Sequence, residues 1–216
     1  MKNIKIATRN STLALWQANY VKSLLIAKYN NLKCEIIPFT TQGDRDTTSS
    51  LKSMGGKGAF VKELELALID RRADIAVHSM KDVPAFLPDE LEIASIAPRQ
   101  NPCDALISNK HRHLSEMPDG ASIGSSSMRR LRQIGLLYPN LTFSDIRGNI
   151  ETRLKKLDSG KYDAIVLAVA GIERLGLGPR ICQKISENDC VPAAGQGAIG
   201  IETRKDVGEI KQLVAA

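Results

Sequence analysis

Ala76-Val77-His78-Ser79-Met80-Lys81-Asp82-Val83-Pro84 is an apolar strand that runs straight into a polar corner. Pro84 ends the run, because it lacks an N–H and restricts the residue before it. Lys81 and Asp82 therefore fall at the carboxyl end of a strand, where open α/β sheets bind their ligands. Neighbouring loop residues can point apart, so Lys81 suits an anion while Asp82 suits reacting atoms. From these residues alone, a surface turn with an ordinary ion pair explains the stretch equally well.

Upstream, Lys5 to Thr8 reads as a short buried strand, and Ser11 is a good helix N-cap. The helix it opens runs to about Tyr29, with Leu13, Trp16, Tyr20, Val21 and Leu24 at helical spacing. Cys34 to Thr40 is a second strand. Thr41 to Lys57 is rich in Gly, Ser, Thr and Asp, a length and composition typical of a lid, a binding loop or a disordered segment. It ends in Gly55-Gly56-Lys57-Gly58, ahead of a helix from about Phe60 to Arg71. Glycines before a helix N-terminus suit anion binding; a flexible hinge is the competing reading. Ile75 to His78 and Leu91 to Ala97 are the third and fourth strands, and Pro98 marks a boundary.

Asp104 to Ser108 opens a second series. Ser122 to Gly124 is a strand, Ser126 to about Leu137 a helix, and Leu141 to Asp145 a strand. Ile150 to about Ser159 is a helix and Ala164 to Val169 a strand. Val191-Pro192-Ala193-Ala194-Gly195-Gln196-Gly197 is a second crossing, leading to a strand from Ala198 to Glu202 and a helix from Asp206 onward. The two series repeat one element order, each with an Asp-led apolar strand, at Asp74 and at Asp163. This predicts two similar α/β lobes, residues 1–98 plus 198–216 and residues 99–197, with a double-crossing hinge and a cleft between them.

The composition agrees with a globular chain: 216 residues, 43% hydrophobic, 25% charged and only 4% aromatic, so the core must be aliphatic. A formal net charge of +6 directs attention to polyanionic partners. Cys34, Cys103, Cys182 and Cys190 form no CxxC pair, and no His lies at metal-ligand spacing, so no metal site is expected. They read as reduced thiols. No signal-peptide pattern opens the chain, and its longest apolar run, Ala164 to Ile172, is too short to span a bilayer. The expected location is the cytoplasm.

The second series is rich in arginine at strand ends and helix starts. Ser125-Ser126-Ser127-Met128-Arg129-Arg130 sets hydroxyls and two guanidiniums at one helix start; Arg147-Gly148-Asn149 and Arg153 do the same at the next. Arg9 and Ser11 repeat the arrangement in the first series. Carboxylates and phosphates need such groups. Solvated basic surface and nucleic-acid binding are the competing readings, although no nucleic-acid motif is present and stacking aromatics are few. Asp82 among these cations suits chemistry on a polyanionic substrate in which positive charge develops.

Ile6-Ala7-Thr8-Arg9 with Ser11, Leu13-Ala14-Leu15-Trp16-Gln17, Gly55 to Gly58 with Phe60 to Glu65, Ala73 to Pro84, Ser126-Ser127 with Arg129-Arg130, Arg147-Gly148-Asn149, Tyr162 to Gly171 and Gly195-Gln196-Gly197-Ala198 together resemble the porphobilinogen deaminase (hydroxymethylbilane synthase) family across essentially the whole chain. The resemblance implies two lobes like type II periplasmic binding proteins. It implies a transferase that joins four porphobilinogen molecules into hydroxymethylbilane in tetrapyrrole and heme biosynthesis, releasing ammonia each time. Asp82 matches the catalytic aspartate. Arg9, Ser11, Gln17, Ser79, Lys81, Ser125, Ser126, Ser127, Arg129, Arg130, Arg147, Gly148, Arg153, Arg174 and Gln196 match positions lining the cleft, and Lys57 and Phe60 the lid. The implied cofactor is dipyrromethane, held in the family by a cysteine of a third, C-terminal domain that none of the four cysteines here matches. The implied partners are porphobilinogen and its polypyrrole products, with no nucleic acid and no membrane, bound by a monomer. The alternative is a non-catalytic two-lobed module that closes on an anionic small molecule.

Overall fold

A computed structural model describes residues 2–45, 58 and 60–215; Lys57 and most of the expected lid stretch lie outside the described residues. The chain divides into two compact units, 1–99 with 198–216, and 100–197.

The first unit is a five-stranded sheet in the order β2-β1-β3-β10-β4. Strands β1 (Lys2–Arg9), β2 (Leu32–Phe39) and β3 (Ile75–Ser79) are parallel; β10 (Ile199–Arg204) runs antiparallel to β3 and to β4 (Leu91–Ile96). Helix α1 (Thr12–Lys28) starts where Ser11 accepts the Ala14 N–H. Its buried stripe is Ala14, Gln17, Ala18, Val21 and Leu25, while Leu24 is exposed. The stripe is therefore rotated from the expected one. Small Ala14 and Ala18 let the helix lie close on the sheet, and Trp16 packs at the flank, stacked on Tyr20. The short α2 (Gln42–Arg45) comes after β2, and α3 (Lys62–Ile69) covers the other sheet face with Leu64, Ala67 and Leu68 against Ala7, Ala76 and Leu91. Helix α7 (Gly208–Val214) closes the unit, with Val214 in the same core as Ile4, Ile6, Ile75 and Val77.

The second unit repeats the pattern as β7-β6-β8-β5-β9. Strands β6 (Ser122–Gly124), β7 (Thr142–Ser144) and β8 (Ala164–Ala168) are parallel, and β5 (Asp104–Ser108) is antiparallel to β8 and to β9 (Gln183–Ile185). Helices α4 (Met128–Leu137), α5 (Ile150–Asp158) and α6 (Val169–Arg174) complete it. In both units the fourth strand of the sheet is the antiparallel one.

The repeated aspartates have a common use. Asp74 accepts the Lys5 N–H at 2.8 Å, and Asp163 accepts the Ser122 N–H at 2.9 Å, each returning its own N–H to the same residue's carbonyl. Each ties the start of one strand to the strand beside it, satisfying backbone groups that the ladder leaves unpaired.

Candidate active site

The site of the first unit lies at the carboxyl ends of β1 and β3. Beyond Ser79 the chain tightens into a 3-10 turn, Met80–Asp82, which carries Lys81 and Asp82. The turn is fixed by the Met80 N–H to Ala198 O and the Val83 N–H to Met80 O. Gly200 on β10 makes room for it: a Cβ there would stand 2.2 Å from the Met80 sulfur. Ser79 is held in turn by Gln17, whose amide donates to its hydroxyl at 2.9 Å.

Arg9, Ser11, Gln17, Phe60, Ser79, Lys81 and Asp82 line one pocket of about 470 Å³, counting the part open to solvent. Leu13, Ala14, Val61, Val77 and His78 complete the lining. Polar and charged groups converge there beside Leu13, Ala14, Phe60, Val61 and Val77, a lining suited to a charged small molecule. Arg9 crosses it. One edge of its guanidinium is forked on Asp44, with Nε 3.2 Å from Oδ2, while Nη1 stands 4.0 Å from Oδ2 of Asp82. Phe60 lies under the guanidinium, 4.3 Å from ring centre to Cζ. Asp44 is itself held by the Thr41 hydroxyl at 2.7 Å. Burial pushes the Asp44 carboxyl up, but Arg9 and Thr41 outweigh it and hold it below the ordinary carboxylate range.

Asp44 is a member of this site that sequence reading missed, since it sits in a polar stretch among other acidic and hydroxyl residues. His78 was missed likewise. Its Nε2 meets the Glu202 carboxylate at 2.8 Å, both side chains being buried.

In the second unit, Ser127 caps α4 and Asn149 caps α5. The Ser126 hydroxyl bridges to Ile146, accepting its N–H and donating to its carbonyl, and the Ser125 hydroxyl accepts the Ser127 N–H. These bonds shape the two helix starts. Arg129 remains part-exposed, with Nη2 2.7 Å from Asp104 and Nη1 2.7 Å from the Val191 carbonyl. Arg130 is buried, its guanidinium on Asp104 and the Val166 carbonyl. Gly148 has φ of +107° and precedes Asn149; Arg153 donates back to its carbonyl at 2.7 Å. The Arg147 carbonyl accepts from Lys156. Arg174 and Gln196 are buried: Arg174 donates to Gln100 and to the Gly197 carbonyl, Gln196 to the Pro102 carbonyl and to Asp104. Of the expected residues that are described, those of the first unit line one pocket; in the second unit the starts of α4 and α5 are joined through Ser126 and Ile146, Gln196 shares Asp104 with Arg130, and Arg174 ends α6 on Gln100 and Gly197.

Among the described residues, no group of three or more His, Cys, Asp or Glu is placed to hold a metal ion, and no helix is long and apolar enough to cross a membrane.

Two α/β units, each with one antiparallel strand, define a fold of periplasmic-binding-protein type. A lipoprotein of Enterococcus faecalis, described as a pheromone cOB1 precursor of the YaeC family, superposes with a TM-score of 0.58 at 15% identity, covering 98% of this chain and 90% of that one. The periplasmic VFT2 domain of Bordetella pertussis BvgS superposes with a TM-score of 0.55 at 16% identity, covering 99% and 85%. Residues 4–212 match the family model described as "Porphobilinogen deaminase, dipyromethane cofactor binding domain". Porphobilinogen deaminase of Chromobacterium violaceum is 51% identical over the whole chain, which spans 70% of that relative. The Legionella pneumophila enzyme of the same name is 53% identical over 99% of the chain and 69% of its own length. The chain belongs to the porphobilinogen deaminase family, transferases of tetrapyrrole synthesis.

The matched domain is the family's dipyrromethane-binding one, and the second unit suits a group with carboxylate arms. Two guanidiniums there share the single carboxylate of Asp104, leaving one positive charge over. The thiols suit covalent capture less. Burial pushes Cys34 and Cys103 up, and burial with Asp104 pushes Cys190 up to about 11, so none of these three is poised as a thiolate.

Proposed function

We propose that Asp82 is the catalytic carboxylate for joining porphobilinogen units. The observation that carries this is its place on the turn after β3, 4.0 Å from Arg9, in a pocket shared with Lys81, Ser79 and Gln17. When an aminomethylpyrrole loses ammonia, the C–N bond breaks, its electron pair leaves with nitrogen, and positive charge spreads over the ring to the pyrrole N–H. A fixed carboxylate beside that N–H stabilises the cation. The next ring's carbon then bonds to the methylene and releases a proton.

Arg9, Ser11 and Lys81 take the substrate's acetate and propionate groups, by the guanidinium Nη1 that Asp44 does not hold, by hydroxyl and by ammonium respectively. Arg129, Arg147, Arg153 and the caps of α4 and α5 supply the corresponding donors in the second unit, with Arg130, Arg174 and Gln196 behind them. Dipyrromethane, when bound, would supply the pyrrole carbon on which the chain of rings grows, and these residues would hold its carboxylate arms. Lys57 belongs to the same reading as a lid residue. The protein acts as a cytoplasmic monomer without nucleic-acid partners. Incubation with porphobilinogen tests the reading: ammonia and uroporphyrinogen accumulate if it holds, and a protein that binds the substrate without releasing ammonia is the non-catalytic module instead.

A further inference from the structure

We propose that Asp104 is a positioning residue for carboxylate capture, setting the guanidinium of Arg129 with Arg130 locked behind it. The inference rests on Arg129 being a ligand for substrate carboxylates.

Asp104 is the first residue of β5, a strand paired on both sides, and it has no exposed surface. Its two oxygens are divided. Oδ1 accepts from Arg130 Nε at 3.0 Å, Arg130 Nη2 at 2.7 Å and Gln196 Nε2 at 2.9 Å. Oδ2 is ion-paired with Arg129 Nη2 at 2.7 Å and accepts from the Cys190 thiol at 3.5 Å. Arg130 spends Nη1 on the Val166 carbonyl and keeps an 8% exposed side chain, whereas that of Arg129 is 23% exposed. Only Arg129 of the pair has substantial access to solvent.

Two adjacent guanidiniums at the start of α4 repel each other, and α4's own N-terminal dipole adds to the repulsion. One buried carboxylate on a rigid strand removes that repulsion, holds Arg130 at two points, and fixes Arg129 together with the Val191 carbonyl and the Cys190 sulfur on its Nη1. It compensates one of the two charges and leaves the other to an anion arriving at Arg129. The Cys190 thiol stays protonated beside it and adds no second negative charge. Asp104 therefore sets both where the positive charge stands and how much of it remains.

The test is a double-substitution cycle on porphobilinogen binding to the full chain, read by calorimetry, with melting temperature tracked in parallel. Asp104→Asn and Arg129→Lys are each expected to weaken binding about tenfold, the worth of one charge-assisted hydrogen bond. Combined, they should bind within about threefold of the weaker single variant, because both act through one guanidinium. Two losses that multiply, or Asp104→Asn binding within about twofold of the unsubstituted chain, overturn the inference. Asp104→Glu covers the case in which the amide variant does not fold. It keeps the charge, shifts both arginine contacts by a methylene, and should bind about fivefold more weakly at a near-normal melting temperature; unchanged binding overturns the inference too. If the unsubstituted chain binds no porphobilinogen, this inference falls together with the substrate reading. Equal binding by chain and variants removes this inference alone.

Discussion

Arg9 holds two aspartates at once: its fork grips Asp44, and Nη1 stands 4.0 Å from the carboxylate of Asp82. Phe60 under the guanidinium limits its other orientations. Asp82 is thereby paired loosely, close enough to be oriented by the guanidinium and distant enough to accept another partner.

Asp44→Asn should release this arrangement. An amide cannot match a guanidinium fork, so Arg9 is free to close on Asp82 and compete with substrate. Porphobilinogen turnover should fall about tenfold, with the larger effect on kcat. Unchanged kinetics would show that Arg9 is oriented without Asp44.

The same aspartate gives a pH signature. Its carboxyl is held below its ordinary value of 3.8, so its contribution to stability is full above that value and fades as pH falls through the lower folded value. Asp104 and Asp163 carry the same sign. Urea unfolding should show stability dropping below about pH 4, with a shallower drop in Asp44→Asn. An identical slope in the variant would assign the drop to other acids.

Gly148 is needed for its backbone and for its space. At φ +107°, a Cβ would lie 2.6 Å from the Thr152 methyl. Gly148→Ala should cost about 1–3 kcal/mol and disturb the Arg147–Arg153 segment. Gly120→Ala, at φ +78° in open space, should cost less, about 1 kcal/mol. Equal losses would mean that the contact with Thr152 relaxes at no cost.

His78 and Glu202 are a buried pair linking β3 to β10. His78→Leu strands a carboxylate and should cost about 3 kcal/mol, much of it recovered by adding Glu202→Leu. A double variant as unstable as the single one would place the loss in packing rather than charge.

Much of this was legible in the sequence. Ser11 announced its helix and caps it through a side-chain oxygen; the helix expected from Ser126 starts at Met128, with Ser127 as its cap. Asp74 and Asp163 flagged the repeat, and their matching backbone bonds explain why the same residue recurs. The edge strand β9 was not legible, although β7 at the other edge was; nor was α6, which begins directly after β8 with no cap to mark it. In the site, the residues of β1 and β3 could be read because strand ends expose them. Asp44 and Asp104 could not, because each is chosen by a guanidinium distant in sequence. The arginines at α4 read as a pair of equal ligands, yet Asp104 buries Arg130 and leaves Arg129 nearer the surface.

The most direct measurement is ammonia release from porphobilinogen by Asp82→Asn beside the unsubstituted protein, with melting temperature as control. A developing cation loses its carboxylate, so the rate should fall at least about a hundredfold, while the part-exposed position keeps the melting temperature within about 2 °C. A folded variant that releases ammonia at a near-normal rate would contradict the assignment of Asp82.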